Sequence, residues 1–147
     1  MLHLIRDIAD KFYRFLVEDP VRPNIPTEYR VGPNRDIFVL HEQDQVDAIT
    51  CVSYTPGVPK SESELFQTAD PCVAVFYTIW SYRPGAGREL ILDSVNKIRQ
   101  DHPEIQRFVT LSPKTEMARR FHLRNGAFVL QENFDTINYE YRLDTVR

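Results

Sequence analysis

One stretch decides most of what this chain can fold into. Residues 72–80 are almost continuously apolar, and Arg83-Pro84-Gly85-Ala86-Gly87 breaks the run. Over residues 88–100, Ile91, Val95 and Ile98 then recur on one helical face, and Asp101-His102-Pro103 ends that pattern. Residues 107–111 form a second apolar run. A strand without a polar side must be covered on both faces. A strand, loop, helix and strand in this order bring the two strands back side by side and parallel.

The remaining segments read as strands that can pair antiparallel. Residues 36–41 are short and apolar. Residues 45–54 alternate, with Ala48, Thr50, Val52 and Tyr54 on one side and Ile49, Cys51 and Ser53 on the other. Ser61 and Glu64 are spaced as a capping box. Residues 115–124 predict a second helix resting on Met117 and Phe121, and Asn125-Gly126 is a stop signal after it. Strands at 128–130 and 137–143 follow, with Ile137, Tyr139, Tyr141 and Leu143 sharing a face. Ahead of all of these, Leu4, Ile5, Ile8, Phe12, Phe15 and Leu16 predict an amphipathic helix over 2–18, stopped by Pro20. Its apolar face could pack on the sheet or on a second copy, giving a homodimer. The expected fold class is a mixed α/β (α+β) sheet, mostly antiparallel around a central parallel pair, with helices on its faces.

At 147 residues the chain has room for one domain with a substantial core. The expected division is a single domain over 1–147, with the N-terminal helix in 1–20 and the sheet and catalytic-type core in 36–147. A formal net charge of −3 argues against a nucleic-acid partner. The cluster Arg119, Arg120 and Arg124 is too short to make a basic stripe. Cys51 and Cys72 lie far apart in apolar runs, so no metal is expected. No apolar run approaches membrane-spanning length, and charges interrupt the N-terminus before a signal sequence develops. A cytoplasmic protein without membrane partners is the expectation.

The residues capable of chemistry cluster around the parallel unit. Gly85-Ala86-Gly87 at a helix start could cradle an anion, with Arg83 and Arg88 adding phosphate contacts, or could simply be a tight turn. Thr110 and Ser112 lie at the C-terminal end of the second parallel strand, where ligands bind in open α/β sheets. Either hydroxyl could serve a substrate carbonyl. Ser112 before Pro113 equally suits a helix N-cap. His122 stands on the next helix, and Asn125 closes that helix or orients a substrate.

This order of elements resembles the GNAT acyltransferase fold, in which a glycine loop after the central strand holds the coenzyme A pyrophosphate. Ala74-Val75-Phe76-Tyr77-Thr78-Ile79, Phe108-Val109-Thr110-Leu111-Ser112-Pro113 and Phe121-His122-Leu123-Arg124-Asn125-Gly126-Ala127 resemble the catalytic domain of malonyl-CoA decarboxylase, a variant of that fold. Ala48-Ile49-Thr50, Gly57-Val58-Pro59 and Asn138-Tyr139-Glu140-Tyr141 extend the likeness from about residue 36 to the C-terminus. The resemblance implies a coenzyme A thioester as substrate, acetyl-CoA or malonyl-CoA, and no metal. It implies Thr110 and His122 as the catalytic pair, with an imidazole titrating near neutral pH as proton donor. Arg83, Gly85, Ala86, Gly87, Arg88, Ser112 and Asn125 would hold the coenzyme. The family's helical N-terminal domain is replaced here by one expected helix, the glycine loop is shorter, and only Pro113 to Phe121 separates the hydroxyl motif from His122. Two other functions are compatible with the fold. One is N-acetyltransfer to an amine, with Tyr139 or Tyr141 as acid and Glu132 or His122 as base. The other is a binding module without chemistry.

Overall fold

The computed structural model describes residues 1–142, and Leu143 of the last expected strand lies outside them. The apolar runs form one eight-stranded sheet. Its strands are β1 (Leu2–Ile5), β2 (Arg35–Glu42), β3 (Gln45–Thr55), β4 (Val73–Ser81), β5 (Arg107–Thr110), β6 (Ser112–Pro113), β7 (Ala127–Glu132) and β8 (Thr136–Tyr141). The first four pair antiparallel in chain order. β5 then lies parallel to β4, as the α1 (Ala86–Asp101) crossover requires. β5 and β6 follow one another along one edge of β8, and β7 takes its other edge.

The side-chain alternation sorts the core into two layers. On one face Ala48, Val52 and Tyr54 of β3 and Ile137, Tyr139 and Tyr141 of β8 pack under Leu90, Ile91, Val95 and Ile98 of α1. On the other, Ile49 and Cys51 join Val75 and Tyr77. No long helix among the described residues covers that second face. Phe12, Leu16 and Ile25, from an irregular strap between β1 and β2, close it.

That strap replaces the amphipathic helix expected over 2–18. Residues 2–5 instead pair with β2, and only a 3-10 helix at Tyr13–Glu18 remains helical. The reason is the free edge of β2, whose backbone groups need partners. Along β1, Leu2 and Leu4 meet one core layer and Ile5 the other, which is strand periodicity. Ile8, counted on the helical face, is exposed. Phe12 and Leu16 are buried within this chain, so they are not an outward face for a second copy.

A buried charge holds the strap. Asp19 accepts hydrogen bonds from the Val21 and Arg22 backbone N–H groups and from the Thr78 hydroxyl on β4. Arg30 Nη1 donates to the other Asp19 oxygen at 2.7 Å, and both side chains are sealed from solvent. Arg30 Nη2 also donates to the carbonyls of Arg22 and Ile25. Three further expectations are corrected locally. Ser112-Pro113 pairs with β8 rather than opening a helix, because Thr115 caps α2 (Glu116–Arg124) by accepting the Ala118 N–H at 3.2 Å. Ser61 makes no side-chain cap on the 3-10 turn Glu62–Glu64 and bonds Ser63 instead. Met117 points outward, 82% exposed, leaving Phe121 as the packed residue of α2.

Replacing one member of a buried ion pair strands the other. The Arg30→Met variant is expected to lose about 3–5 kcal/mol of stability in urea unfolding. A loss below about 1 kcal/mol, the range of an exposed pair, would mean that Asp19 and Arg30 do not hold the strap.

Candidate active site

The parallel pairing of β4 and β5 is short. It runs from Val73 opposite Arg107 to Phe76 opposite Thr110, and the Leu111 N–H to Phe76 carbonyl bond (3.1 Å) is its last rung. Past that point β4 continues along β3 alone, while the chain after β5 turns to β8. The strands part, and a cleft of about 310 Å³ opens between them. Its walls come from β4 (Thr78, Ile79, Trp80), from Leu111 and Ser112, from α2 (Ala118, His122) and from the strap (Pro20, Val21). No Asp, Glu, Lys or Arg among the described residues lines it.

Ser112 and His122 line the same cleft, and Thr110 does not. Thr110 is fully buried and does not line the cleft. Its hydroxyl oxygen accepts the Tyr139 N–H at 3.1 Å and lies 2.8 Å from the Ser112 hydroxyl. If Thr110 donates to Ser112, its own proton is satisfied and the Ser112 proton is left for the cleft. The Thr110 hydroxyl is engaged within the protein, and Ser112 is the hydroxyl that lines the cleft. Sequence spacing alone could not separate the two, because the local turn from β5 into β6 decides which one faces outward.

His122 is 3% exposed and lines the same cleft. Its Nδ1 lies 2.8 Å from the Tyr141 hydroxyl. Burial raises the Tyr141 pKa above its ordinary value, so the phenol keeps its proton. If the phenol donates that proton to Nδ1, the imidazole proton sits on Nε2. Nε2 has no protein partner among the described residues. Burial also pushes the His122 pKa down, from 6.5 to about 4. The expected neutral-range titration is corrected on this ground: near pH 7 the ring is neutral.

The expected coenzyme-binding residues divide. Gly85 takes a left-handed backbone, φ 82°, as the N-cap of α1, and Ala86 and Gly87 form its buried first turn. The Gly87 and Arg88 N–H groups have no backbone acceptor. Gly87 is required by packing as well: a Cβ there would lie 2.8 Å from the Phe121 ring. Arg83 is held by Asp47 (3.2 Å) and Glu89 (2.9 Å), which compete with any phosphate. Arg88 is exposed and reaches Asn125 Oδ1 at 3.3 Å, which ties the start of α1 to the C-cap of α2. Tyr139 and Tyr141 stand behind the His122 ring rather than in the cleft, and Glu132 is exposed on β7. The residues that sequence reasoning missed are Pro20 and Val21. Only the strap's path over the sheet could reveal them. No group of three or more His, Cys, Asp or Glu side chains among the described residues could hold a metal ion. No described helix is long and apolar enough to cross a membrane.

The parted parallel strands, with a helix N-terminus at one end of the cleft, are the architecture of GNAT acyltransferases. The sequence matches no protein-family model and no curated protein. Solved structures do match. Malonyl-CoA decarboxylase from Agrobacterium vitis aligns with 99% of this chain and 61% of its own length, at TM-score 0.80 and 18% identity. Malonyl-CoA decarboxylase from Rhodopseudomonas palustris aligns with 85% of this chain and 33% of its own, at TM-score 0.64 and 23% identity. A GNAT family acetyltransferase from Elizabethkingia anophelis with acetyl-CoA bound covers 97% of both chains, at TM-score 0.67 and 10% identity. The fold is therefore GNAT, similar to both kinds of protein. The chain spans only part of the length of the decarboxylases it matches.

The low pKa of His122 has a measurable sign. Between pH 6.5 and about 4 the unfolded chain binds a proton that the folded chain does not. Stability contributed by the neutral buried ring is thus lost as pH falls through that window. Between pH 7 and pH 4.5, wild type is expected to lose about 2–3 kcal/mol more than His122→Gln in urea unfolding. Parallel losses in the two proteins would contradict the buried, neutral imidazole.

Proposed function

We propose that this protein binds a coenzyme A thioester in the β4–β5 cleft and decarboxylates a malonyl group there. The observation that carries the reading is that the Ser112 hydroxyl and a neutral His122 ring both line a cleft with no charged side chain among the described residues. In the reaction the bond between the malonyl methylene and its carboxylate carbon breaks. Its electron pair forms a thioester enolate, CO₂ leaves, and a proton from solvent completes the acetyl thioester. Negative charge builds on the thioester oxygen. Donors aimed at that oxygen stabilise the transition state more than the ground state. Ser112 and His122 fill that role, Thr110 orients Ser112, and Tyr141 sets the His122 tautomer. A carboxylate held among apolar walls is poorly solvated, which favours its loss as neutral CO₂.

The first-turn N–H groups of α1 and the Arg88 guanidinium suit the coenzyme pyrophosphate. Thr115 at the N-cap of α2, Ala118 on α2 and the strap residues Pro20 and Val21 wall the site in this chain. The strap also favours decarboxylation over transfer. It crosses the face of the sheet opposite α1, and no carboxylate in the cleft is available to deprotonate an ammonium acceptor.

The test is conversion of malonyl-CoA to acetyl-CoA by the purified protein. Ser112→Ala and His122→Gln are each expected to lower kcat by about 10²–10³, the cost of one oxyanion donor. Thr110→Val is expected to lower it less than Ser112→Ala does. No turnover in wild type, or turnover indifferent to both Ser112 and His122, would overturn the reading.

A further inference from the structure

Where β4 and β5 part, one side chain reaches a backbone carbonyl on each rim. Tyr77 sits at the bulge in the β3–β4 register, between the pairs Cys51–Thr78 and Val52–Phe76. Leu111 lies in the step from β5 to β6. Arg22 Nε donates to the Tyr77 carbonyl (3.3 Å) and Arg22 Nη2 to the Leu111 carbonyl (2.8 Å). Its third nitrogen, Nη1, donates to Glu62 Oε2 at 3.0 Å. The residue is only 8% exposed.

We infer that Arg22 is a positioning residue of the cleft: its guanidinium bridges the diverging strands and fixes how far apart they stand. This rests on the reading above for its catalytic consequence, though not for its geometry. The planar fork matters. Three donors in one rigid plane can bond two carbonyls on different strands and a carboxylate at once, which a lysine ammonium cannot reproduce. Leu111 precedes Ser112, and Tyr77 precedes Thr78 on the facing wall, so the bridge acts on both sides of the site. Shifts of about 1 Å at a reacting group can cost 10²-fold in rate. The guanidinium can be tested apart from the strap, because the strap is held through the Arg22 backbone. The Arg22 N–H donates to Asp19, and its carbonyl accepts from Arg30. Side-chain replacement leaves those bonds in place.

The experiment compares full-length wild type with Arg22→Lys and Arg22→Ala in two measurements. In amide hydrogen exchange, the amides of residues 110–112 are expected to exchange at least about tenfold faster in both variants, while α1 amides stay protected. In malonyl-CoA turnover, kcat is expected to fall about 10- to 100-fold with KM changed less than about threefold. Added methylguanidine is expected to restore part of the Arg22→Ala rate. Wild-type exchange at 110–112 in both variants would overturn the bridge itself. Faster exchange with unchanged kcat in an active enzyme would overturn its role in catalysis and leave a structural tie. If wild type does not turn over malonyl-CoA, the decarboxylase reading fails, and the exchange measurement still decides whether Arg22 sets the splay.

Discussion

Everything at the candidate site depends on the parting of two parallel strands after four residue pairs. A sheet whose central strands stayed paired would leave no cleft, because each backbone amide and carbonyl would be spent on its neighbour. Here β3 continues to hold β4, and β8 takes over the chain after β5. The gap between them is stable because its edges are satisfied from elsewhere. Asn138 donates to the Thr110 carbonyl on one side (2.7 Å), and Arg22 reaches both rims.

The helices and the strap treat the two faces of this opening differently. On one face α1 and α2 converge, with the Phe121 ring packed over Gly87 and Arg88 reaching Asn125. That leaves a helix N-terminus beside the cleft mouth. On the other face an irregular segment, fixed by the buried Asp19–Arg30 pair, lays Pro20 and Val21 against the opening. A cleft so walled is largely apolar, and its polar side chains, among them Thr78, Ser81, Ser112, Thr115 and His122, carry no charge near pH 7. Burial keeps the His122 ring neutral near pH 7.

Much of the architecture was legible in the residue pattern. The unbroken apolar run at β4, the glycine turn and the helical period of α1 required a parallel pair. The alternation in β3 and β8 assigned each side chain to the correct core layer. Boundaries moved where a local signal had two uses: Ser112-Pro113 suits a helix start as well as a strand. The N-terminus misled because Leu2-His3-Leu4-Ile5 is too short for its period to separate helix from strand. The free edge of β2 made the choice.

The sequence by itself determined the class of sheet, the place of its parallel pair, and the neighbourhood in which a hydroxyl and an imidazole would meet. Those follow from periodicity and chain order, which are local properties. Tertiary structure alone decided that Ser112 and not Thr110 faces the cleft, that His122 is neutral, and that Arg83 is engaged by carboxylates while Arg22 spans the strands. Each of these depends on groups distant in sequence: Tyr139 on Thr110, Tyr141 on His122, Asp47 on Arg83, and Tyr77 with Leu111 on Arg22. The energy of such a contact depends on burial and on where the partner lies, and neither is written in the spacing of residues along the chain.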